Sequence, residues 1–374
     1  MRTAPIRRRQ EPFTTEGTEV HGGWADVFSV FANGNIAGFR RALLGWYDRH
    51  RRDLPWRRTR DPYAIWLSEI MLQQTRVAAV LDHYRIFLER FPNIEALAAA
   101  SEDDVLAAWS GLGYYRRARM LHVCAREIGA RNGGRFPETA AALRELPGIG
   151  RYTAAAIASI AFGETAAVVD GNVERVLQRI GGCDLTAAHY WECAQELLSQ
   201  SRPGDFNQAM MELGATVCLP REPQCEACPA RAWCTTSARE LRAKGSGLEA
   251  LRAVASPRQM KREIWCALER RDGHVRLVRR AKDASIMAGM WELPQWTKIP
   301  DESDGSATWR TFRHSITVTD YTVHVLRDCR PRTKNAAAER GAAIRRGKWV
   351  AVETIPQLPI TGLTRKILKA GGVI

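Results

Sequence analysis

The chain has 374 residues, enough for two domains with separate cores. A hydrophobic fraction of 45% and a charged fraction of 26% are those of an ordinary soluble globular protein. The 55 Lys+Arg against 41 Asp+Glu leave a net charge of +14, which favours a polyanionic partner, nucleic acid before an anionic membrane. No apolar run approaches the ~20 residues of a membrane span, and Met1–Arg9 is basic without the apolar core of a secretory signal.

Residues 1–34 show little periodicity and read as a loose tail. From Ile36 the pattern is helical: Phe39, Leu43, Leu44, Trp46 and Tyr47 recur at helical spacing, and Leu54-Pro55 stops the run. Tyr63–Phe91 reads as one long helical region closed by Pro92. Ser101 followed by Glu102, Asp103 and Asp104 is a helix cap with an acidic first turn, and Gly111-Leu112-Gly113 ends that helix. Further helices are predicted at about 116–130, 137–145, 151–162, 172–180, 187–200 and 206–215, so the first domain, 35–234, is mainly α. Thr235–Lys261 lacks aromatic residues and reads as a linker. In 262–374 the period changes to two. Ile264–Leu268 and Val275–Val278 flank the hairpin signal Asp272-Gly273, Arg313–Leu326 and Lys348–Val352 read as strands, and Leu363–Lys369 as a terminal helix. This second domain is α/β.

Cys218, Cys225, Cys228 and Cys234 fall within 17 residues as C-x6-C-x2-C-x5-C, while the other five cysteines are scattered. Four thiolates from one loop suit tetrahedral zinc or a [4Fe–4S] cube, and the wide gaps flanking a single C-x2-C pair favour iron–sulfur. Arg221, Arg231 and neighbouring cations would hold this loop against phosphates. Nine cysteines without an export signal point to a reducing compartment, and the compact chain without a clear nuclear signal suggests a bacterial cytoplasm as the expected location.

Leu146-Pro-Gly148-Ile-Gly150 lies between two helices and permits a tight hairpin that presents backbone N–H groups to a phosphate, although alone it is also a plain loop. Val168-Val-Asp170-Gly-Asn172 sets a carboxylate at a helix start, where an N-cap is the simplest account.

Taken in order, the glycine hairpin, the Val-Asp170-Gly-Asn172 run and a four-cysteine loop 46 residues beyond Asn172 resemble the helix–hairpin–helix DNA glycosylases with an iron–sulfur loop, over about residues 36–234. Leu54-Pro-Trp56-Arg57, Trp66-Leu-Ser-Glu69-Ile-Met-Leu72-Gln73-Gln74-Thr75, Gly111-Leu112-Gly-Tyr114-Tyr115 and Gly289-Met-Trp-Glu-Leu-Pro294 are similar to the MutY-type adenine glycosylases. That resemblance implies a helix–hairpin–helix domain with a [4Fe–4S] loop and a C-terminal Nudix-like domain. It implies a monomer acting on double-stranded DNA with adenine opposite 8-oxoguanine or guanine.

The slot after Arg151, where strand-cleaving relatives carry a Schiff-base lysine, holds Tyr152, which implies hydrolysis by water. Breaking a purine N-glycosidic bond needs a protonated leaving base and a stabilised oxocarbenium-like sugar, and two carboxyl groups in different environments supply both. By resemblance, Glu69 is the acid, its apolar helix favouring the protonated form. Asp170 stabilises the sugar, with Asn172 and Tyr152 orienting them. The target base must be flipped out. Arg52, Trp56 and Leu72 then line the adenine pocket beside Arg57, Gln74 and Thr75 meet the opposing lesion, and Leu112 and Tyr114 form a wedge. Gly148 and Gly150 hold phosphate.

The family's lesion-reading loop carries Phe-Ser-His, whereas this chain has Phe312-Arg313-His314. The metal-binding glutamate box of Nudix hydrolases is absent from 262–374. Competing readings are a related glycosylase for thymine or uracil, a non-catalytic iron–sulfur DNA-binding protein, and a zinc-stapled structural protein.

Overall fold

The computed structural model describes residues 35–183, 185–237, 260–297, 308–316, 318–327 and 347–374. The tail 1–34 and nearly all of the linker 235–261 lie outside them. The described parts of Met1–His50, Val169–Ser199 and Gln208–Lys244 form one compact unit. Those of Arg51–Val168, Gln200–Asn207 and Gly245–Ile374 form another. Among the described residues no helix is long and apolar enough to cross a membrane.

The helices run α1 (Ile36–His50), α2 (Pro62–Leu72), α3 (Val77–Arg90), α4 (Ile94–Ala99), α5 (Glu102–Ala108), α6 (Arg116–Asn132) and α7 (Ala140–Leu143). They continue with α8 (Arg151–Ala161), α9 (Gly171–Gly181), α10 (Ala187–Leu197) and α11 (Pro203–Thr216). Their starts follow the local chemistry. Asp61 caps α2 by accepting from the Tyr63 and Ala64 amides, ahead of Pro62 in the first turn. Ser101 caps α5, and its Oγ accepts from the Asp104 amide at 3.1 Å.

The expected single region Tyr63–Phe91 is two helices, because the chain turns at Gln73–Thr75, where Gln74 takes φ 54°. Neither glycine nor proline marks that turn. The helix Ile94–Ala99, started by Asn93 accepting from the Ala96 amide, adds an element that periodicity did not separate.

In the first unit, Arg40 of α1 donates to the Leu197 and Glu196 carbonyls at the end of α10, 3.0 and 2.8 Å away. Phe39 meets Trp233 edge-on at 5.7 Å, which fixes the cysteine loop to α1.

In the other unit, α2 to α8 surround a core that includes Trp66, Trp109, Phe87 and Leu67. The C-terminal strands are β1 (Met260–Leu268), β2 (Arg270–Arg271), β3 (His274–Arg279), β4 (Trp291–Glu292), β5 (Gln295–Trp296), β6 (Thr308–Ile316), β7 (Thr319–Arg327) and β8 (Lys348–Ala351). They build a mixed sheet β5-β1-β7-β6 and a second sheet in which β3 pairs β2, β4 and β8.

Asp272 (φ 48°) and Gly273 (φ 73°) do form the hairpin turn, but it closes only the short β2–β3 ladder. β1 instead runs parallel to β7, Met260 opposite Thr319 through Leu268 opposite Arg327. The stretch Arg313–Leu326 belongs to two strands, β6 and β7, paired antiparallel. Helix α12 (Gly362–Ala370), capped by Thr361, packs Leu363, Ile367 and Leu368 into the strand core.

This half of the unit is bonded to the helices. Ser110 Oγ and Tyr115 Oη donate to the Ile360 carbonyl at 2.7 and 3.3 Å, and both Asp103 oxygens accept from Arg279 Nη2 at 2.7 Å.

Candidate functional site

Glu69 lies on α2, a helix whose residues Tyr63 to Met71 are all buried. Its side chain is 7% exposed among apolar neighbours, an environment that no surface carboxyl shares. Tyr152, in the first turn of α8, donates its hydroxyl to Glu69 Oε2 at 2.7 Å. The pair joins two helices 83 residues apart in sequence.

Asp170 occupies the opposite kind of setting. It is the N-cap of α9, and its Oδ1 accepts from the Asn172 amide at 3.0 Å and the Val173 amide at 2.8 Å. The Asn172 side-chain amide donates to Oδ2 at 2.9 Å. Three N–H donors and a helix N-terminus therefore converge on one carboxylate, an arrangement that stabilises negative charge. Arg175 Nη2 donates to Asn172 Oδ1 at 2.8 Å, fixing which way that amide points.

Arg175 also donates to the Gly214 carbonyl at 2.7 Å and the Cys218 carbonyl at 2.9 Å. Gly214 must be glycine, since a Cβ there would stand 2.6 Å from the Asn172 Cβ. One turn on, Arg179 Nη1 donates to Cys218 Sγ at 3.3 Å, and the Cys234 thiol donates to the Arg179 carbonyl at 3.3 Å. Arg175 and Arg179, four residues apart on one helix face, both bond the cysteine loop. Arg221 and Arg231, expected to hold the loop against phosphates, lie within the loop itself. The i, i+4 spacing behind Asn172 was the available signal.

The four cysteines are half-buried. The Cys228 thiol is pushed up to about 11 by burial, with the Cys218, Cys234 and Cys225 thiols adding to it and the Ala230 backbone opposing. Among the described residues no group of three or more His, Cys, Asp and Glu side chains is already drawn into a metal geometry. The donor chemistry nevertheless fits a cationic cluster, because four thiolates sharing a desolvated loop need positive charge among them.

A groove of about 810 Å³ runs within the second unit, lined by residues of α2, the turns 73–74 and 111–115, Gly148, the segment Ala284–Ala288, and His314 to Ile316. Among the described residues the non-glycine positions with positive φ are Gln74, Tyr114, Glu222, Asp272 and Met287. Three of these, Gln74, Tyr114 and Met287, line this one groove. Backbone strain of that kind concentrates at functional surfaces. Tyr114 is 52% exposed and Ile286, on the facing segment, 40%.

The remaining expected site residues are placed as follows. Leu112 lines the groove but is itself buried, and Thr75 sits just behind Gln74. Gly148, at φ 80°, borders the groove with Met120 3.0 Å from where its Cβ would be, so it requires glycine twice over. Gly150 is the N-cap of α8 with open space about it and an ordinary φ. Trp56 is buried edge-on against Tyr84 at 5.3 Å, and Arg57 Nη1 donates to the Arg52 carbonyl at 3.1 Å. Arg52 and Leu72 are half-buried and do not border the groove.

On β6 alternation sets Arg313 apart from Phe312 and His314, which share a face. Phe312 packs into the strand core and Arg313 is exposed, while His314 borders the groove together with Ser315 and Ile316. Burial, and then Lys366, hold His314 below the ordinary imidazole value.

Residues 67–200 match the family described as HhH-GPD superfamily base excision DNA repair protein, and 264–370 match the NUDIX domain. The adenine DNA glycosylase of Rattus norvegicus is 39% identical over 346 residues, covering 79% of this chain and 66% of that protein. The adenine DNA glycosylase of Homo sapiens is 41% identical over 322 residues, covering 71% of this chain and 59% of that protein. The chain thus spans under two thirds of the length of these relatives. Among solved structures, a thermostable thymine-DNA glycosylase is 34% identical with a TM-score of 0.53, covering 56% of this chain and 99% of that one.

Proposed function

The chain belongs to the HhH-GPD superfamily of base excision DNA repair proteins, in its MutY type with a NUDIX domain behind the helices, and on that premise we propose that it is a monofunctional adenine DNA glycosylase. Its substrate is duplex DNA with adenine opposite 8-oxoguanine or guanine, and it hydrolyses the adenine N-glycosidic bond. The observation that carries this reading is the buried Glu69 bonded to Tyr152 at 2.7 Å. An acid in a dry helix is paired there with a phenol, in the slot where an imine-forming lysine would make a lyase. Curated relatives near 40% identity, all named adenine DNA glycosylase, support it.

Glu69 gives its proton to the flipped adenine, so that the bonding pair leaves with a neutral base. Asp170, held ready by its three N–H donors, stabilises the positive sugar, and water completes the substitution. Asn172 and Tyr152 keep the two carboxyl groups oriented. Arg52, Trp56, Arg57 and Leu72 shape the adenine pocket, and Gln74 and Thr75 meet the opposing base. Tyr114, backed by Leu112, enters the stack, and Gly148 and Gly150 approach phosphate. His314 reads the lesion from the C-terminal side, with Phe312 supporting its strand and Arg313 reaching the backbone. Cys218, Cys225, Cys228 and Cys234 would hold a [4Fe–4S] cluster, which with all its irons ligated by protein supplies structure and redox chemistry, not hydrolysis.

The test is single-turnover release from duplexes carrying A·8-oxoguanine, A·G, A·T and G·T. Adenine release from the first, with strand breaks only after alkali, supports the reading, and no release from any duplex overturns it. The likeness to a thymine-DNA glycosylase favours thymine removal as the second reading, and the G·T duplex separates the two. Iron content and visible absorbance distinguish iron–sulfur from colourless zinc.

A further inference from the structure

Arg117, in the first turn of α6, turns its guanidinium back toward α2 and contacts three separate segments. Nη1 donates to the carbonyls of Ile70 at 2.7 Å, Met71 at 3.0 Å and Gln73. Nη2 donates to Thr75 Oγ1 at 3.0 Å and reaches the Gly113 carbonyl at 3.5 Å. The same group lies 5.3 Å from the Tyr114 ring centre and 5.5 Å from that of Trp109. Burial pushes it down to about 10, so it is still charged near neutral pH.

Two features make this more than a staple. The acceptors on α2 are the orphan carbonyls at its C-terminus, where the helix dipole favours a cation. The other carbonyls belong to Gln73 and Gly113, the residues immediately before Gln74 (φ 54°) and Tyr114 (φ 47°). One planar fork therefore bonds the peptide leading into each of the two non-glycine left-handed residues of the helical part that line the groove. Such conformations persist only where the surroundings over-determine them. A lysine ammonium cannot span these directions at once.

We propose that Arg117 is a positioning residue that holds the Gln74 turn and the Tyr114 turn in register with each other and with the end of the helix bearing Glu69. Insertion of Tyr114 and reading of the opposing base are then one coupled event. The inference rests on the reading of this groove as the DNA site.

The experiment uses the full chain and its Arg117→Lys and Arg117→Gln variants. Melting and iron content are compared first. Single-turnover adenine release at saturating enzyme follows on the A·8-oxoguanine duplex, with 2-aminopurine beside the opposing base reporting unstacking. Arg117→Lys is expected to keep its fold and iron, lose about tenfold to a hundredfold in release, and lose the 2-aminopurine signal. In Tyr114→Ala and Gln74→Ala backgrounds the Arg117→Lys loss shrinks, because both turns are already uncoupled. Release and unstacking at wild-type levels in Arg117→Lys, or a loss fully additive with both alanine variants, overturns the proposal. A fall in melting alone does the same and leaves a structural arginine. If the unsubstituted chain neither unstacks any duplex nor releases a base from one, the reading of the groove fails and takes this assignment with it.

Discussion

Glu69 and Asp170 carry the same functional group in opposite surroundings. Glu69 sits in the middle of a helix buried on all sides, with Tyr152 as a bonded neighbour. Asp170 caps an amphipathic helix whose buried face is Val173, Val176, Leu177 and Ile180, and it takes three N–H bonds. Position along the helix sets the surroundings: the middle of a buried helix gives a carboxyl little contact with water, and the N-terminus gives it backbone N–H donors.

The sharpest way to break this comparison is Glu69→Gln, which keeps shape and removes the proton. Adenine release is expected to fall by about 10²–10⁴-fold with DNA binding retained, and wild-type release would remove Glu69 from the acid role. Asp170→Asn comes next. Asn caps a helix as well as Asp, so the melting midpoint is expected to move by less than about 2 °C while release falls at least about a hundredfold. A large drop in melting would instead make Asp170 chiefly a cap. Tyr152→Phe removes one hydrogen bond to a carboxyl and is expected to slow release by about tenfold, with an unchanged rate showing that the bond is incidental.

The smallest effect is in His314. Its folded value lies below the unfolded 6.5, so its contribution to stability is full above that pH and is lost as the pH falls. Lys366→Met removes the neighbouring cation and is expected to move the imidazole titration upward, read by NMR. A downward or absent shift would exclude Lys366 as a cause.

The local signals were legible where a single residue type carried them. Ser101 as a cap and Val-Asp170-Gly-Asn172 as a helix start appear in the structure as read. The turn at Gln73–Thr75 was invisible for a physical reason. No residue in it prefers that conformation, and the group that bonds it, Arg117, comes from more than 40 residues away. Likewise Asp272-Gly273 announced a hairpin, yet the main partner of β1 is β7, a pairing that no turn encodes.

The sequence by itself determined the two kinds of domain and the close spacing of the four cysteines, because periodicity and spacing are local, whereas the choice of Glu69 and Asp170 rests on the resemblance. Only the tertiary structure decided that Tyr152 bonds Glu69, that Arg175 orients Asn172, and that His314 and not Phe312 borders the groove. Alternation on a strand says which side chains share a face. Phe312 and His314 share a face of β6, so which of them packs into the core and which borders the groove is set by their places along the strand.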